Sequence, residues 1–378
     1  MTNRLLVLTS LVVLALAALA QAQTFTTLYK FTGGSDGAFP YAGAIQDPTG
    51  NLYGTASEGG GCGYYCGVVY ELDPAGTETV LHSFIGEPSD GEGPVTPVTR
   101  DKPGNTYGTA SIGGPSNQGI VFKIDTAGSK TVLHSFTGGS DGCYPTQGLI
   151  MDKAGNLYGT TNGCGSSANG TVYKVNSAGN FTLLHTFNGS DGANPYLGDL
   201  TMDKSGNLYG VTDYGDTSNY GELYRLSESG TLTLLHSFKG GTSDGCGPLG
   251  SVVQDDAGNL FGTTYGCGSR GKGTIWKVSK KGKDHLAQLY RGTQDGCYAK
   301  ARVARDLKGN LYGVTDSCGA SNSGTLYELS ARGRLTLLHS FDSLDGAIPV
   351  GEVLRTPRGK LFGTTFYGYG GTVWSYVP

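Results

Sequence analysis

Apolar and polar residues alternate along this chain in short runs, and the same order of runs keeps returning. Between residues 147 and 187 four strand-like stretches follow one another: 147–152 (QGLIMD), 156–161 (NLYGTT), 171–175 (TVYKV) and 182–187 (TLLHTF). We call them A, B, C and D. Alternation over a few residues marks a half-buried strand, and no segment carries the apolar period of a helix. The A–B and C–D links are short and place a glycine just before the next strand, as at Gly155 and Gly179. That suits a hairpin whose type I turn ends on a left-handed glycine.

Two markers count the recurrences. Asp-Gly pairs start at Asp36, Asp90, Asp141, Asp191, Asp244, Asp295 and Asp345, with gaps of 54, 51, 50, 53, 51 and 50. The run NLYGTT and its variants starts at Asn51, Asn105, Asn156, Asn207, Asn259, Asn310 and Lys360. Seven units of about 51 residues therefore occupy residues 23–378 as a single domain. Four short antiparallel strands repeated seven times predict an all-β fold, a seven-bladed β-propeller. A straight β-solenoid is the alternative, but its repeats are usually shorter and it needs polar caps that this sequence does not offer. The two ends favour closure. Thr26 to Phe31 (TTLYKF) matches a D run, and the last unit stops after a C run, Thr372 to Val377. Laid beside that C run, Thr26 to Phe31 completes the seventh blade and removes an exposed sheet edge.

Composition refines this picture. Glycine makes up 65 of 378 residues, well above the average of roughly 7%. Because it is periodic and interleaved with Tyr, Val, Leu and Phe, it reads as many tight turns rather than disorder. Residues 1–22 read as a secretory signal: Arg4, an apolar run from Leu5 to Ala20, and the small-x-small cleavage pattern Ala20-Gln21-Ala22. An uncut anchoring helix is the alternative. After the signal no stretch approaches the ~20 apolar residues of a membrane span. Net charge is −4, and about −5 once Arg4 leaves with the signal. Such mild acidity without a concentrated basic face excludes nucleic acid as a partner.

The pattern P…GL..D..GNLYGTT…GG….GTVYK…..G..TVLHSF.GG.DG resembles the GloVer tandem repeat of bacterial choice-of-anchor proteins, over essentially all of residues 24–378. The resemblance implies bacterial surface or secreted proteins that differ in a C-terminal anchor; this chain departs from it in showing no sorting signal or hydrophobic tail before Pro378. It implies no reaction, so it lends no catalytic residue. The D..GNLY element is also similar, more weakly, to NHL-type propeller repeats, which implies that A lines the central channel and D the rim.

Eight cysteines in an exported chain suggest disulfides. Cys143, Cys246 and Cys297 each follow an Asp-Gly pair, and Cys164, Cys267 and Cys318 come 21 residues later. Units without the first cysteine also lack the second at its usual place. In an antiparallel blade the D–A and B–C loops emerge on one face, so the two cysteines can meet within one blade. Each bridge closes a loop of about 20 residues, worth roughly 3 kcal/mol in the chain-entropy model. Cys62 and Cys66, on the first B–C loop, read as a local fourth bridge. Zinc is the competing reading for that pair, but no second Cys or His pair accompanies it; no metal and no cofactor are expected.

The repeated Asp invites a calcium or acid–base reading. However, an Asp before Gly readily caps a turn through its backbone neighbours, and SDG lacks the alternating oxygen ligands of a calcium loop. A structural role is expected. His82, His134, His185, His236 and His339 share one D position, taken elsewhere by Tyr29 and Gln288. Spread along the rim they cannot converge on one substrate, so hydrogen-bonding structural histidines are expected. The sequence has no Gly-x-Ser-x-Gly elbow between strand and helix, and no helix follows its glycine clusters to cradle phosphate. Trp276 and Trp374 fall on C runs and are expected to pack.

Function is sought where the repeat breaks. Four residues before the A-run Asp, or its Thr356 equivalent, the units carry Gly43, Pro97, Gly148, Asp199, Ser251, Arg302 and Glu352. Asp199, Arg302 and Glu352 are charged, and Lys300 lies beside Arg302. They fit either an internal ion pair that fixes blade packing or a ligand cluster at the channel mouth. Phe39, Tyr41, Tyr144, Tyr196 and Tyr298 precede A runs on the loop face, and tyrosine faces suit sugar rings, which present apolar faces between hydroxyls. The resulting expectation is a secreted monomer, extracellular or periplasmic, that binds a carbohydrate or a surface protein. Its binding candidates are Asp199, Arg302, Glu352, Lys300, Tyr144, Tyr196 and Tyr298. One alternative is a polysaccharide hydrolase or lyase with an acid and a base in the channel. Another is a purely structural cell-surface protein.

Overall fold

The computed structural model describes residues 23–62, 65–86, 89–215, 218–280, 285–289 and 295–378, with backbone only over 285–289. The expected signal, residues 1–22, lies outside the described residues. Seven four-stranded antiparallel sheets follow one another, each in the order A-B-C-D. They span residues 45–83, 99–135, 150–186, 201–237, 253–289 and 304–340, and the seventh combines 354–377 with Thr24–Lys30. This is a seven-bladed β-propeller.

The third blade shows why the repeat folds this way. Its strands are Ile150–Met151, Leu157–Thr161, Thr171–Val175 and Phe181–Thr186. At the A–B turn Asp152 Oδ1 accepts the backbone N–H groups of Ala154 and Asn156, while Oδ2 accepts Asn156 Nδ2 and the Tyr158 hydroxyl. The D..GNLY signature is thus one carboxylate that closes a turn and pins the following strand. On the next ladder Gly159 faces Tyr173. A Cβ on Gly159 would lie 2.6 Å from the Tyr173 hydroxyl, so the ring takes the space a side chain would fill.

The core lies between blades rather than at one centre, in seven clusters of buried side chains. Phe136, just after strand D of the second blade, meets Tyr173 of the third edge-on at 5.1 Å. The same contact recurs as Phe31–Tyr70, Phe84–Phe122, Phe187–Tyr224 and Phe238–Trp276, and in a more tilted form as Phe341–Trp374. Each of these phenylalanines is fully buried, and an edge-on pair adds about 1 kcal/mol beyond the area it buries. Both tryptophans are buried packing residues, as expected.

The ring closes through the N-terminal strand. Thr24–Lys30 pairs antiparallel with Thr372–Val377, with Thr24 opposite Val377, Lys30 opposite Thr372 and a bulge between Thr27 and Tyr29. Phe25 stacks on His339 of the sixth blade at 3.9 Å, so this strand also holds its neighbour.

Strand A differs from the expected length. Only Ile150 and Met151 are laddered in the third blade, not the whole of 147–152. The reason is visible at Gly148, whose N–H donates to Asp199 Oδ1 of the next blade at 2.5 Å. Near the axis the backbone bonds across blades instead of along its own sheet.

Candidate functional site

The D–A and B–C loops share one face in every blade, where short antiparallel bridges tie them together: Ala38–Glu58, Glu92–Ile112, Cys143–Gly163, Ala193–Tyr214, Cys297–Ser317 and Ala347–Tyr367, with Gly245–Cys246 on Gly266–Cys267 in the fifth blade. Three of these links carry disulfides: Cys143–Cys164, Cys246–Cys267 and Cys297–Cys318, with Cα atoms 5.3–5.6 Å apart. Cys62 pairs with Cys66.

The residue after each bridge takes a left-handed conformation. Phe39, Tyr144, Asn194, Tyr298 and Ile348 have φ of 51–64°, and Gly93 and Gly247 occupy the equivalent place at 62° and 61°. Each is clamped on both sides. Tyr144 N–H donates to Gln118 O of the preceding blade, and Tyr144 O accepts Asn162 N–H of its own. A left-handed L-residue costs roughly 1–2 kcal/mol, yet three of the seven are bulky aromatics. Tyr144 is exposed on the face, while half-buried Phe39 packs on Phe366 and half-buried Tyr298 on Tyr265.

The Asp-Gly carboxylates are structural, and six of the seven bond a strand D side chain. His82–Asp90, His134–Asp141, His185–Asp191, His236–Asp244 and His339–Asp345 lie 2.6–3.3 Å apart, and the Tyr29 hydroxyl donates to Asp36 at 3.0 Å. Gln288 occupies the matching backbone position opposite Ile275. The same carboxylates also accept backbone N–H groups that start the loop, such as Thr137 to Asp141 and Ile85 to Asp90. Burial alone would raise the Asp90 carboxyl, but hydrogen bonds from His82 and Lys130 hold it at about 2. Burial pushes the His134 imidazole below its usual value despite the neighbouring Asp141.

Asp199, Ser251, Arg302 and Glu352 converge at the neck of the channel. Ser251 Oγ accepts Asp199 N–H at 2.8 Å and donates to Glu352 Oε1 at 2.7 Å. Arg302 Nη1 lies 3.9 Å from Glu352 Oε2. Asp199 is buried, and burial together with the adjacent Glu352 carboxylate raises its carboxyl well above the ordinary range, against the opposing pull of Arg302. The neck cavity that Asp199, Arg302 and Glu352 line holds only about 30 Å³, about one water molecule's share of liquid volume. On the A–B turn side it opens into a vestibule of about 470 Å³ lined by Gln254, Asp256, Arg302, Arg305, Glu352 and Arg355, among others.

The other sequence candidates gather on the loop side of the neck, except Tyr144, which stands farther round the same face. Tyr41 and Tyr196 interact through their hydroxyls, and burial with this contact raises Tyr41. The rings of Tyr265 and Tyr298 lie 5.0 Å apart. Lys300 Nζ is 2.8 Å from Asp316 Oδ2 and 5.0 Å from the Tyr265 ring centre. Lys272 Nζ donates to the Tyr298 hydroxyl at 3.0 Å. Tyr265, Lys272 and Asp316 were not singled out by sequence; all three fall in B–C loops, whose variability between units was the available signal. Among the described residues, the strongly exposed tyrosines are Tyr65, Tyr144, Tyr214, Tyr220, Tyr265, Tyr367 and Tyr369, at 37–70% exposure. All seven lie in D–A or B–C loops, on one face.

Among the described residues no group of three or more His, Cys, Asp or Glu is placed to hold a metal ion, and no helix is long and apolar enough to cross a membrane. A family model described as the Gloeobacter/Verrucomicrobia repeat matches residues 15–163 and 145–376. Among curated proteins, no sequence match was found. Of solved structures, the extracellular domain of a hybrid two-component system from B. thetaiotaomicron superposes with a TM-score of 0.60 at 12% identity, over 94% of this chain and 41% of that one. This chain thus spans about two fifths of that neighbour's length. An oligogalacturonate lyase from Vibrio parahaemolyticus gives 0.56 at 12% identity, over 95% of both chains. A gluconolactonase from Xanthomonas campestris gives 0.50 at 13%, over 96% of this chain and 92% of that one. At these identities the likeness is one of fold.

Proposed function

This chain belongs to the Gloeobacter/Verrucomicrobia repeat family, and from that footing we propose that it is a secreted carbohydrate-binding module whose binding face is built by the D–A and B–C loops. The observation that carries this reading is the segregation of the seven exposed tyrosines to that face. Tyrosine offers a flat apolar ring and a hydroxyl at little cost in side-chain entropy, and sugar rings alternate apolar faces with hydroxyls. Left-handed Phe39, Tyr144 and Tyr298 hold aromatic rings in place at a backbone cost where glycine serves two other blades. The disulfides tie the two loops of three blades together, which lowers the entropy lost on binding, and they fit an oxidising compartment reached after residues 1–22 are removed.

The enzyme reading would need substrate to reach Asp199 and Glu352. Glu352 also lines the vestibule, but the neck of about 30 Å³ does not admit a sugar ring to Asp199, and the bonds of Ser251 and Gly148 to these carboxyls support a packing role. The sugar-directed enzymes among the solved neighbours share the propeller, and their chemistry is not carried over with it. A glycan array probed with residues 23–378 tests the proposal. Binding that is weakened by Tyr144→Ala or Tyr298→Ala, with unchanged thermal stability, is the expected result. A silent array, or binding indifferent to both changes, would overturn it.

A further inference from the structure

The basic residues of the tyrosine face are confined to one sector. Among the described residues of the D–A and B–C loops, the lysines and arginines are Lys239, Arg270, Lys272, Lys300 and Arg302, the last turned to Glu352 at the neck. All lie between the end of the fourth blade and the start of the sixth, while the corresponding described loops elsewhere on the ring carry none. In a chain of net charge −4 this is a marked local reversal.

The tyrosine pair Tyr265–Tyr298 lies inside that sector. Lys300 stands over the Tyr265 ring but is neutralised by Asp316. Lys272 stands 4.9 Å from the Tyr298 ring centre and bonds that tyrosine's hydroxyl, with no ion pair among the described residues. A half-buried ammonium whose hydrogen-bond partner is a neutral phenol retains its full charge for an outside anion. Tyr298 itself is held at φ 64°, where the equivalent Gly93 and Gly247 would be unstrained.

Resting on the carbohydrate reading above, we propose that this sector is a subsite for an acidic sugar, with the ring of a uronic acid unit stacked on Tyr298 and Tyr265 and its carboxylate meeting Lys272 Nζ. Neutral sugars satisfy tyrosines alone; the lysine beside them selects a ring that carries charge. Such binding weakens with salt because the contact is partly exposed.

Calorimetric titration of residues 23–378 tests this. The probes are homopolymers of galacturonic, glucuronic and mannuronic acid, each beside its carboxyl-reduced, neutral counterpart. The expected result is binding of at least one uronate that falls roughly tenfold or more on carboxyl reduction, and similarly in Lys272→Gln, with thermal stability unchanged and a clear loss between 50 and 300 mM salt, about the range over which screening tightens. Tyr298→Gly, which relieves the strained backbone, should keep the fold and lose the ligand. Equal binding of acidic and reduced polymers, insensitive to salt, would overturn the acidic-sugar subsite and leave the tyrosine-face reading standing. Binding of neither set overturns the subsite, and a silent glycan array beside it overturns both.

Discussion

Phe31→Ala offers a direct test of ring closure. Phe31 is fully buried between the first and seventh blades, beside Tyr70, Leu52, Phe362 and Val373, although it enters from the N-terminal end of the chain. Removing a buried phenylalanine ring leaves a cavity and costs roughly 3–5 kcal/mol. Unfolding entropy near the midpoint is about 2.1 cal/mol/K per residue, or roughly 0.75 kcal/mol/K over residues 24–378. The melting temperature should therefore fall by about 4–7 °C. Phe84→Ala is the control, since Phe84 makes the same contact within the continuous part of the ring. Differential scanning calorimetry of the two variants should give drops of similar size. A normal drop for Phe84→Ala with less than about 1 °C for Phe31→Ala would refute the closure argument, because it would mean that the N-terminal strand contributes little to the seventh blade.

Replacing Cys143 and Cys164 together with Ala should cost about 3 kcal/mol by denaturant titration, since the bridge closes a loop of about 20 residues; no change in midpoint would count against the staple. Asp199→Asn should be as stable as the parent below the ordinary carboxyl value of 3.8 and more stable at pH 8. The raised carboxyl contributes its stability while protonated and loses it as pH rises through its folded value. A lower melting temperature at pH 8 would contradict this. Asp90 works in the opposite sense. Held at about 2 against an ordinary 3.8, its contribution is full above the ordinary value and disappears as pH falls towards 2, so Asp90→Asn should flatten the acid limb of a stability–pH curve. Tyr144→Gly should hold stability within about 1 kcal/mol, because relief of the left-handed strain offsets the flexibility gained by the unfolded chain; a larger loss would show that the exposed ring is a packing residue.

Much of the fold was legible in the sequence because each blade restates the same physical solution. Asp152 must close a turn, Gly159 must yield to Tyr173, and Phe136 must reach the next blade, so their spacing returns at each step. The cysteines were legible because their paired presence across units reports loop proximity that spacing alone would hide. The neck was less legible. Asp199, Ser251 and Glu352 come from three different blades, and how closely they approach depends on the radius of the ring, which no local pattern encodes. The pairing of strand D histidines with the Asp-Gly carboxylates was also missed, though both were singled out. They are six to eight residues apart in a loop, and the loop's path decides whether they meet. The left-handed positions did leave a signal: Gly93 and Gly247 align with Phe39, Tyr144, Asn194, Tyr298 and Ile348. A place that accepts either glycine or a tyrosine suggests an unusual backbone held for the sake of the side chain.

The seam that joins Thr24–Lys30 to Thr372–Val377 also sets how the ring responds to force. Thr24 lies opposite Val377, so both strands leave the ladder at the same end. Tension applied at Thr24 and Val377 does not load all the hydrogen bonds at once, as it would if the strands left from opposite ends. It peels the pairs apart one after another, starting at Thr24–Val377 and running toward Lys30–Thr372. The closure that completes the seventh blade is therefore firm against thermal opening and weak against a pull. Stretched by its ends, the ring unzips at its seam before any blade is drawn out.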